Sequence, residues 1–380
     1  MEENPLKLTQ EELARYARHI SLDEIGIKGQ ELLKGSSVLC IGTGGLGSPL
    51  LTYLAAAGIG RIGIIDFDLV DSSNLQRQII HGSSWLGKPK IDSARSRILE
   101  INPFCIVDIY KVILSKDNAL ALISKFDIIC DCTDNFPSRY LINDACVILG
   151  KPNVYGAISK FQGQVTIFNM DSESPNLRDL IPEPPPSNLL ESCSEAGVIG
   201  VLPGLIGIIQ ATEVIKIITK IGRNLNGRLL IVDALSMKFK EINLKSNNTN
   251  KYIKNLIEYK GYCFNQEVKE QSLQASVKAI SISDLKRLIA LDINRIILID
   301  VRNYYEHEIN KIDSSKCIPL DIIENSSSIN ELKTLSKNNN IYFYCQSGKR
   351  SLEAISRLSL HGIQGINING GLNAWNESLN

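Results

Sequence analysis

Residues 37–78, SVLCIGTGGLGSPLLTYLAAAGIGRIGIIDFDLVDSSNLQRQ, decide the fold. Ser37-Val38-Leu39-Cys40-Ile41 is a short, β-rich apolar run of the kind buried in a parallel sheet. It leads into Gly42-Thr43-Gly44-Gly45-Leu46-Gly47, which fits G-x-G-x-x-G. Ser48 to Gly58 then places Leu50, Leu51, Leu54 and Ala55 at helical spacing and is stopped by Gly58 and Gly60. Arg61 to Asp66 is the next strand, ending on an acid. Glycines let backbone approach phosphate, a helix N-terminus favours the anion, and the acid accepts ribose hydroxyls. A nucleotide site is predicted here, with Gly45 and Asp66 in it.

A glycine loop followed by an acid first suggests a nicotinamide or flavin oxidoreductase. The turn DFDLVDSSNLQRQ, residues 66–78, tells against it, because a dinucleotide needs no polar, cationic turn so close to the ribose acid. Arg77 beside Asn74, with Lys90 beyond, offers donors for a triphosphate. The plainer alternative is a solvated loop.

GTGGLGSP (42–49) and DFDLVDSSNLQRQ resemble the adenylating enzymes of the MoeB/ThiF family, relatives of ubiquitin-activating enzymes that act on small sulfur-carrier proteins. The resemblance continues through Arg15 to His19, Gly87 to Lys90, Asp131 to Asn135 and Glu195 to Val198, and covers roughly residues 5 to 245. It implies a Rossmann-like adenylation domain with a mixed sheet. It also implies an ATP site of Gly45, Asp66, Ser73, Asn74, Leu75, Gln76, Arg77, Lys90, Asp134 and Asn135. Arg18, second arginine of its motif, is implied to reach a partner subunit's ATP site, so a homodimer is expected. Cys193, on the segment after the Pro-rich stretch, matches a cysteine that takes part in acyl-disulfide or thioester steps in thiolating members. An inert cysteine on a polar segment is the bland alternative.

The residues themselves add to this. Thr9 and Glu12 form a capping box opening a helix from Gln10 to Ile20. Lys88 to Ser93 starts another helix running to Glu100, and Lys90 in its first turn opposes the dipole unless it meets phosphate; otherwise it snorkels to water. Asp134 follows the apolar strand Phe126 to Cys132, and a carboxylate facing ATP needs Mg²⁺ between them. It could equally cap the helix that follows. Asp171 to Asn188 is Pro- and Ser-rich and reads as an exposed crossing segment. The resemblance expects two Cys-x-x-Cys pairs around a structural zinc, at Asn176-Leu177-Arg178-Asp179 and at Ser246 to Asn250. Neither stretch has a cysteine, so no zinc is expected.

At 380 residues, two domains are expected. Forty-one basic and 41 acidic residues cancel, leaving no global pull toward nucleic acid or an anionic membrane. Nine cysteines without a framework suit a reducing compartment. Met1 to Pro5 shows neither a secretory signal nor a transit peptide, and Val198 to Ile221 reads as a buried helix because it holds Gln210, Glu213 and Lys216. The expected location is the cytoplasm, or the plastid stroma if the wealth of Ile, Asn and Lys reflects an organellar genome.

The domains are read as 1–245, a linker 246–280 rich in Lys, Asn and Ser, and a small α/β domain 281–380. Ile296 to Arg302 and Ile341 to Tyr344 are buried strands, the second ending on the loop Cys345-Gln346-Ser347-Gly348-Lys349-Arg350. A thiol on a tight loop before a helix, flanked by cations, makes an anion cradle suited to a persulfide or a phosphoryl-cysteine. Asp300-Val301-Arg302, this loop and Asn369 to Trp375 resemble a single rhodanese domain.

The two resemblances together imply ATP-dependent adenylation of the Gly-Gly tail of a MoaD/ThiS-like sulfur carrier. Arg18, Arg77, Lys90 and Asp134 then position the reactants, and Cys345, assisted by Cys193, transfers sulfur from a cysteine desulfurase or other donor. Molybdopterin synthesis is the preferred pathway, with thiamine or tRNA thiolation as alternatives. A NAD-dependent oxidoreductase and a non-catalytic scaffold are the alternatives of other classes.

Overall fold

The computed structural model describes residues 7–184, 197–257, 277–291, 295–337 and 339–378. The chain divides into two compact units, Met1–Tyr262 and Cys263–Asn380.

In the first unit, strands β1 (Ser37–Ile41), β2 (Arg61–Ile65), β3 (Ile106–Tyr110), β4 (Ile128–Asp131), β5 (Asn153–Ser159), β6 (Gln162–Phe168), β7 (Arg228–Asp233) and β8 (Lys238–Asn243) form one sheet. Their order is β3-β2-β1-β4-β5-β6-β7-β8. The first five are parallel and the last three join antiparallel. Strand order reverses between β1 and β4, which opens a crevice at their carboxyl ends.

The alternation along β1 explains its burial on both faces. Val38 and Cys40 pack with Leu50, Leu54, Ile62 and Ile64. Leu39 and Ile41 pack on the other side with Ile65, Phe126, Ile129 and Ile142. Each such side chain contributes roughly 1.5–3 kcal/mol. Helix Gly47–Ala57 follows the glycine loop and ends on left-handed Gly58. Helix Val201–Thr219 has the length and apolarity of a membrane span, yet half of it is buried within the unit. Its buried Gln210 donates to the carbonyls of Asp131 and Val154, as a core helix does.

Three expectations are corrected here. The first helix breaks at Tyr16 into Gln10–Arg15 and Ala17–Ile20, although the Thr9–Glu12 capping box forms. Tyr16 is buried, and its hydroxyl accepts a hydrogen bond from Asn102. The crossing segment is not open throughout: Leu177–Leu180 is a helical turn with Leu177 buried against Tyr140, Tyr155 and Phe168. Finally, β9 (Ala279–Ile280) lies in a stretch whose composition reads as linker, yet it is a strand of the second sheet.

That second sheet joins β9 to β10 (Ile296–Asp300), β11 (Lys316–Cys317), β12 (Asn340–Tyr344) and β13 (Ile366–Ile368). All pairings are parallel, in the order β11-β10-β12-β13-β9. Phe343 and Cys345 face one cluster with Ile355 and Leu358. Tyr342 and Tyr344 face the other with Leu285 and Leu372.

Candidate functional site

At the end of β1 the backbone turns at Gly42, whose φ is +96°; a Cβ there would lie 2.8 Å from the Cys132 carbonyl oxygen. Only glycine fits this turn, and it brings the loops after β1 and β4 into contact. Thr43 is fully buried and donates from its N–H and its hydroxyl to Asp66 Oδ2, at 2.8 and 2.6 Å. Asp66 Oδ1 accepts the Asp68 N–H at 2.9 Å. A carboxylate has about four lone-pair positions, so Oδ1 retains one for a ribose hydroxyl. Gly45 packs under Pro203 of the long helix, with Arg77 alongside.

The turn after Asp66 is ordered by its own side chains. Asp71 caps the short turn Ser72–Asn74 by accepting from Ser73, and that hydrogen bonding holds its carboxyl below the usual range. Arg77 donates to the Ser73 carbonyl at 3.1 Å. Asn74, Leu75 and Arg77 are half-buried, whereas Ser73 and Gln76 are exposed. Gly200 packs directly on Gln76. Lys90 is the first residue of helix Lys90–Ile101, which begins two residues later than expected, and it does not snorkel to water. It is buried and pairs with Asp68 at 2.9 Å.

His81 carried no signal in the sequence, and Asp131 was legible only as the first residue of the Asp131–Asn135 motif, with no role of its own. His81 is buried between Ser93 Oγ, 3.0 Å from Nδ1, and the Thr43 carbonyl, 3.2 Å from Nε2. Burial pushes its pKa down to about 4, against the opposing pull of the Thr43 carbonyl. The neutral ring therefore donates from Nε2 to Thr43 and accepts from Ser93 at Nδ1, fixing the glycine loop from below. Asp131, the last residue of β4, is fully buried; its Oδ1 accepts from Thr133 while its Oδ2 has no partner. Burial raises its pKa, with Arg139 opposing.

Asp134 is exposed at the carboxyl end of β4. The helix cap, the alternative role for Asp134, falls to Asn135, which accepts the Ser138 N–H at 2.9 Å. The structure thus gathers Gly45, Asp66, the 73–77 turn and Lys90 around one loop, with Asp134 and Asn135 on the loop that touches it. Arg18 does not join them. It is exposed on the wall of a separate cavity of about 290 Å³ that Tyr53, Ile208 and Ala211 also line. Cys193 lies outside the described residues.

The two stretches without the expected cysteines meet through hydrogen bonds. Asp179 Oδ1 accepts from the Asn247 N–H at 3.0 Å and the Asn250 side-chain amide at 2.8 Å. Asp179 Oδ2 accepts the Asn176 N–H at 2.8 Å, and the Asn176 amide donates to the Asn250 carbonyl at 3.1 Å. Among the described residues, no group of three or more His, Cys, Asp or Glu side chains is placed to hold a metal.

In the second unit, Cys345 follows β12 and is only 1% exposed. Gly348, at φ +91°, aims its N–H at Cys345 Sγ, 3.2 Å away. The first turn of helix Gly371–Glu377 donates to the carbonyls of Cys345 and Gln346, at 2.9 and 3.0 Å. Arg302 is pinned by fully buried Asp300 and donates to Gln346 Oε1 at 3.1 Å. Burial opposes the charge on Asp300, yet Arg302 and His307 hold its pKa below the usual value. Arg350 needs correcting: its guanidinium does not face an open cradle but is held by Glu306 in two contacts of 2.9 Å. Ser347 is exposed at the loop tip, and Lys349 begins the following helix.

A family model described as ThiF family matches residues 16–253, and one described as Rhodanese-like domain matches 281–378. The chain is 42% identical over 377 residues to a Mycobacterium tuberculosis protein named "Probable adenylyltransferase/sulfurtransferase MoeZ", covering 98% of this chain and 95% of that one. It is 39% identical over 389 residues to the Drosophila yakuba "Adenylyltransferase and sulfurtransferase MOCS3", covering 98% and 85%. Among solved structures, E. coli MccB with ATP matches at a TM-score of 0.54 and 20% identity, over 64% of this chain and 74% of that one. That likeness concerns the fold.

Proposed function

This chain belongs to the ThiF family and carries a rhodanese-like domain behind it, and from that premise we propose how it works. It is an adenylyltransferase and sulfurtransferase acting on a sulfur-carrier protein. The carrier we propose is ubiquitin-like, with a Gly-Gly tail, as for molybdopterin synthase.

The tail carboxylate attacks the α-phosphorus of ATP, forming an acyl-adenylate and releasing pyrophosphate. The protein's part is to position two anions and neutralise them. Asp66 Oδ1 takes the ribose, while Lys90 and Arg77 meet the phosphates. Asp134, an exposed single carboxylate, suits Mg²⁺ held jointly with phosphate oxygens and water, and the ion would screen the phosphates from that carboxylate. Arg18 comes from a second copy of the chain, which closes over the apolar cavity on which Arg18 stands.

The outer sulfur of a Cys345 persulfide then attacks the acyl-adenylate, and AMP leaves. A thiolate, with Cys193 as candidate, attacks Cys345 Sγ, forms a disulfide with it and releases the carrier thiocarboxylate. The resulting disulfide is reduced by an external dithiol, and a sulfur donor such as a desulfurase persulfide reloads Cys345. The observation that carries this reading is the convergence of Asp66, Lys90 and the 73–77 turn on one glycine loop at the strand-order reversal.

Carrier-dependent ATP–pyrophosphate exchange tests it. Asp134→Ala is expected to lose exchange; full exchange in that variant refutes the assignment. Sedimentation of an active species as a strict monomer refutes the role of Arg18.

A further inference from the structure

Ser351 sits in the first turn of helix Lys349–Ser359 and is fully buried. Its Oγ lies 3.8 Å from Cys345 Sγ, 2.6 Å from Asn367 Oδ1 and 3.0 Å from the Gly348 carbonyl oxygen. One hydroxyl hydrogen cannot serve three acceptors, and by distance Asn367 now takes it. Asn367 is also buried, on β13, with its amide beside Gly348. Among the described residues the sulfur therefore has one fixed donor, the Gly348 N–H, and beside it one donor that can rotate.

We propose that Ser351 is a positioning residue for sulfur transfer, its hydroxyl turning from Asn367 to Cys345 Sγ when that sulfur is a thiolate and back when the persulfide forms. The inference rests on the sulfur-carrying role of Cys345. Thiosulfate and cyanide make the charge movement explicit. The Sγ thiolate attacks the outer sulfur of thiosulfate, a new S–S bond forms on Cys345, and sulfite leaves with the electron pair of the broken bond. Sγ is now neutral and the charge sits on the outer sulfur. Cyanide attacks that outer sulfur, thiocyanate leaves, and the electron pair of the broken S–S bond returns to Sγ. Charge on Sγ is thus lost in loading and regained in discharge, and a rotating donor follows it, whereas Asn367 holds the hydrogen between times.

The test uses the full-length chain with thiosulfate as donor and cyanide as acceptor. Ser351→Ala is expected to lower kcat/KM for thiosulfate about tenfold near neutral pH, the scale of a hydrogen bond to a charged group, with the pH profile displaced to higher pH. Ser351→Thr keeps the hydroxyl and is expected within about threefold of the parent, inside the usual spread of such contributions. An unshifted pH profile in the alanine variant overturns the proposal, as does a folded threonine variant that behaves like alanine. Cys345→Ser separates the two levels: if it still transfers sulfur, the underlying reading fails. If it is dead while Ser351→Ala keeps the parent profile, only the role of Ser351 fails.

Discussion

Lys90 Nζ and Asp68 Oδ2 meet at 2.9 Å, the lysine buried and the carboxylate half exposed. The same Asp68 donates its backbone N–H to Asp66. The cation proposed for phosphate is thus already held by an internal anion, two residues along from the acid proposed for the ribose.

Two variants test that pairing. Lys90→Ala is expected to reduce carrier-dependent ATP–pyrophosphate exchange by about 100-fold or more, the scale of losing one stabilising charge at a reacting phosphate. Asp68→Asn removes the competitor without changing size, and is expected to lower the KM for ATP. Steady-state exchange kinetics check both, and a Lys90→Ala variant within about threefold of the parent contradicts the assignment.

His81 makes stability depend on pH. Its folded pKa is about 4 against an ordinary 6.5, so the unfolded chain takes up the proton first. The contribution is complete above 6.5, declines as pH falls, and is lost by about 4. A difference of that size amounts to about 3 kcal/mol. Urea melts of the full chain from pH 7 to pH 4.5 are expected to show this decline, and His81→Gln is expected to shallow it by up to one proton. Equal slopes in parent and variant contradict it.

The clasp of Asn176, Asp179, Asn247 and Asn250 joins the two stretches where the resemblance expects zinc-binding cysteines. Asp179→Ala leaves three donors without their acceptor and is expected to cost about 2–3 kcal/mol in denaturant melts. Cysteines at all four positions are expected to bind one zinc per chain, measured by elemental analysis after dialysis. Stoichiometric zinc in the unmodified protein contradicts a metal-free clasp.

Gly348 holds φ at +91° while donating to Cys345 Sγ. An alanine there is strained by roughly 1–2 kcal/mol and displaces the N–H from the sulfur. Gly348→Ala is expected to lose at least about tenfold in thiosulfate-to-cyanide transfer while ATP–pyrophosphate exchange stays unchanged. Loss of both activities contradicts the local role.

Much of the site was legible because local patterns carry it. The glycine loop and the cysteine at the end of β12 sit at strand-to-helix turns, where an apolar strand gives way to helical spacing, and Asp66 marks the end of the apolar run of β2. Helix existence was legible and helix ends less so: Thr9 and Glu12 announce the first helix, but the break at Tyr16 depends on a contact with Asn102, 86 residues away. The cap falls on Asn135 and not on Asp134 for a smaller reason: helix Phe136–Leu149 begins one residue too late for Asp134, and asparagine caps as well as aspartate.

From its sequence alone the protein has two α/β units, a glycine loop after β1 and a cysteine loop after β12, because strand, turn and helix signals are local and repeat in one order. Only the tertiary structure settled which polar groups meet: His81 beneath Thr43, Lys90 on Asp68, Arg350 on Glu306, Ser351 between Asn367 and Cys345. Each of these pairs joins different elements or crosses a turn, and burial removes the water that would otherwise satisfy it. Hydrogen-bonding partners are then chosen by packing, which no local pattern encodes.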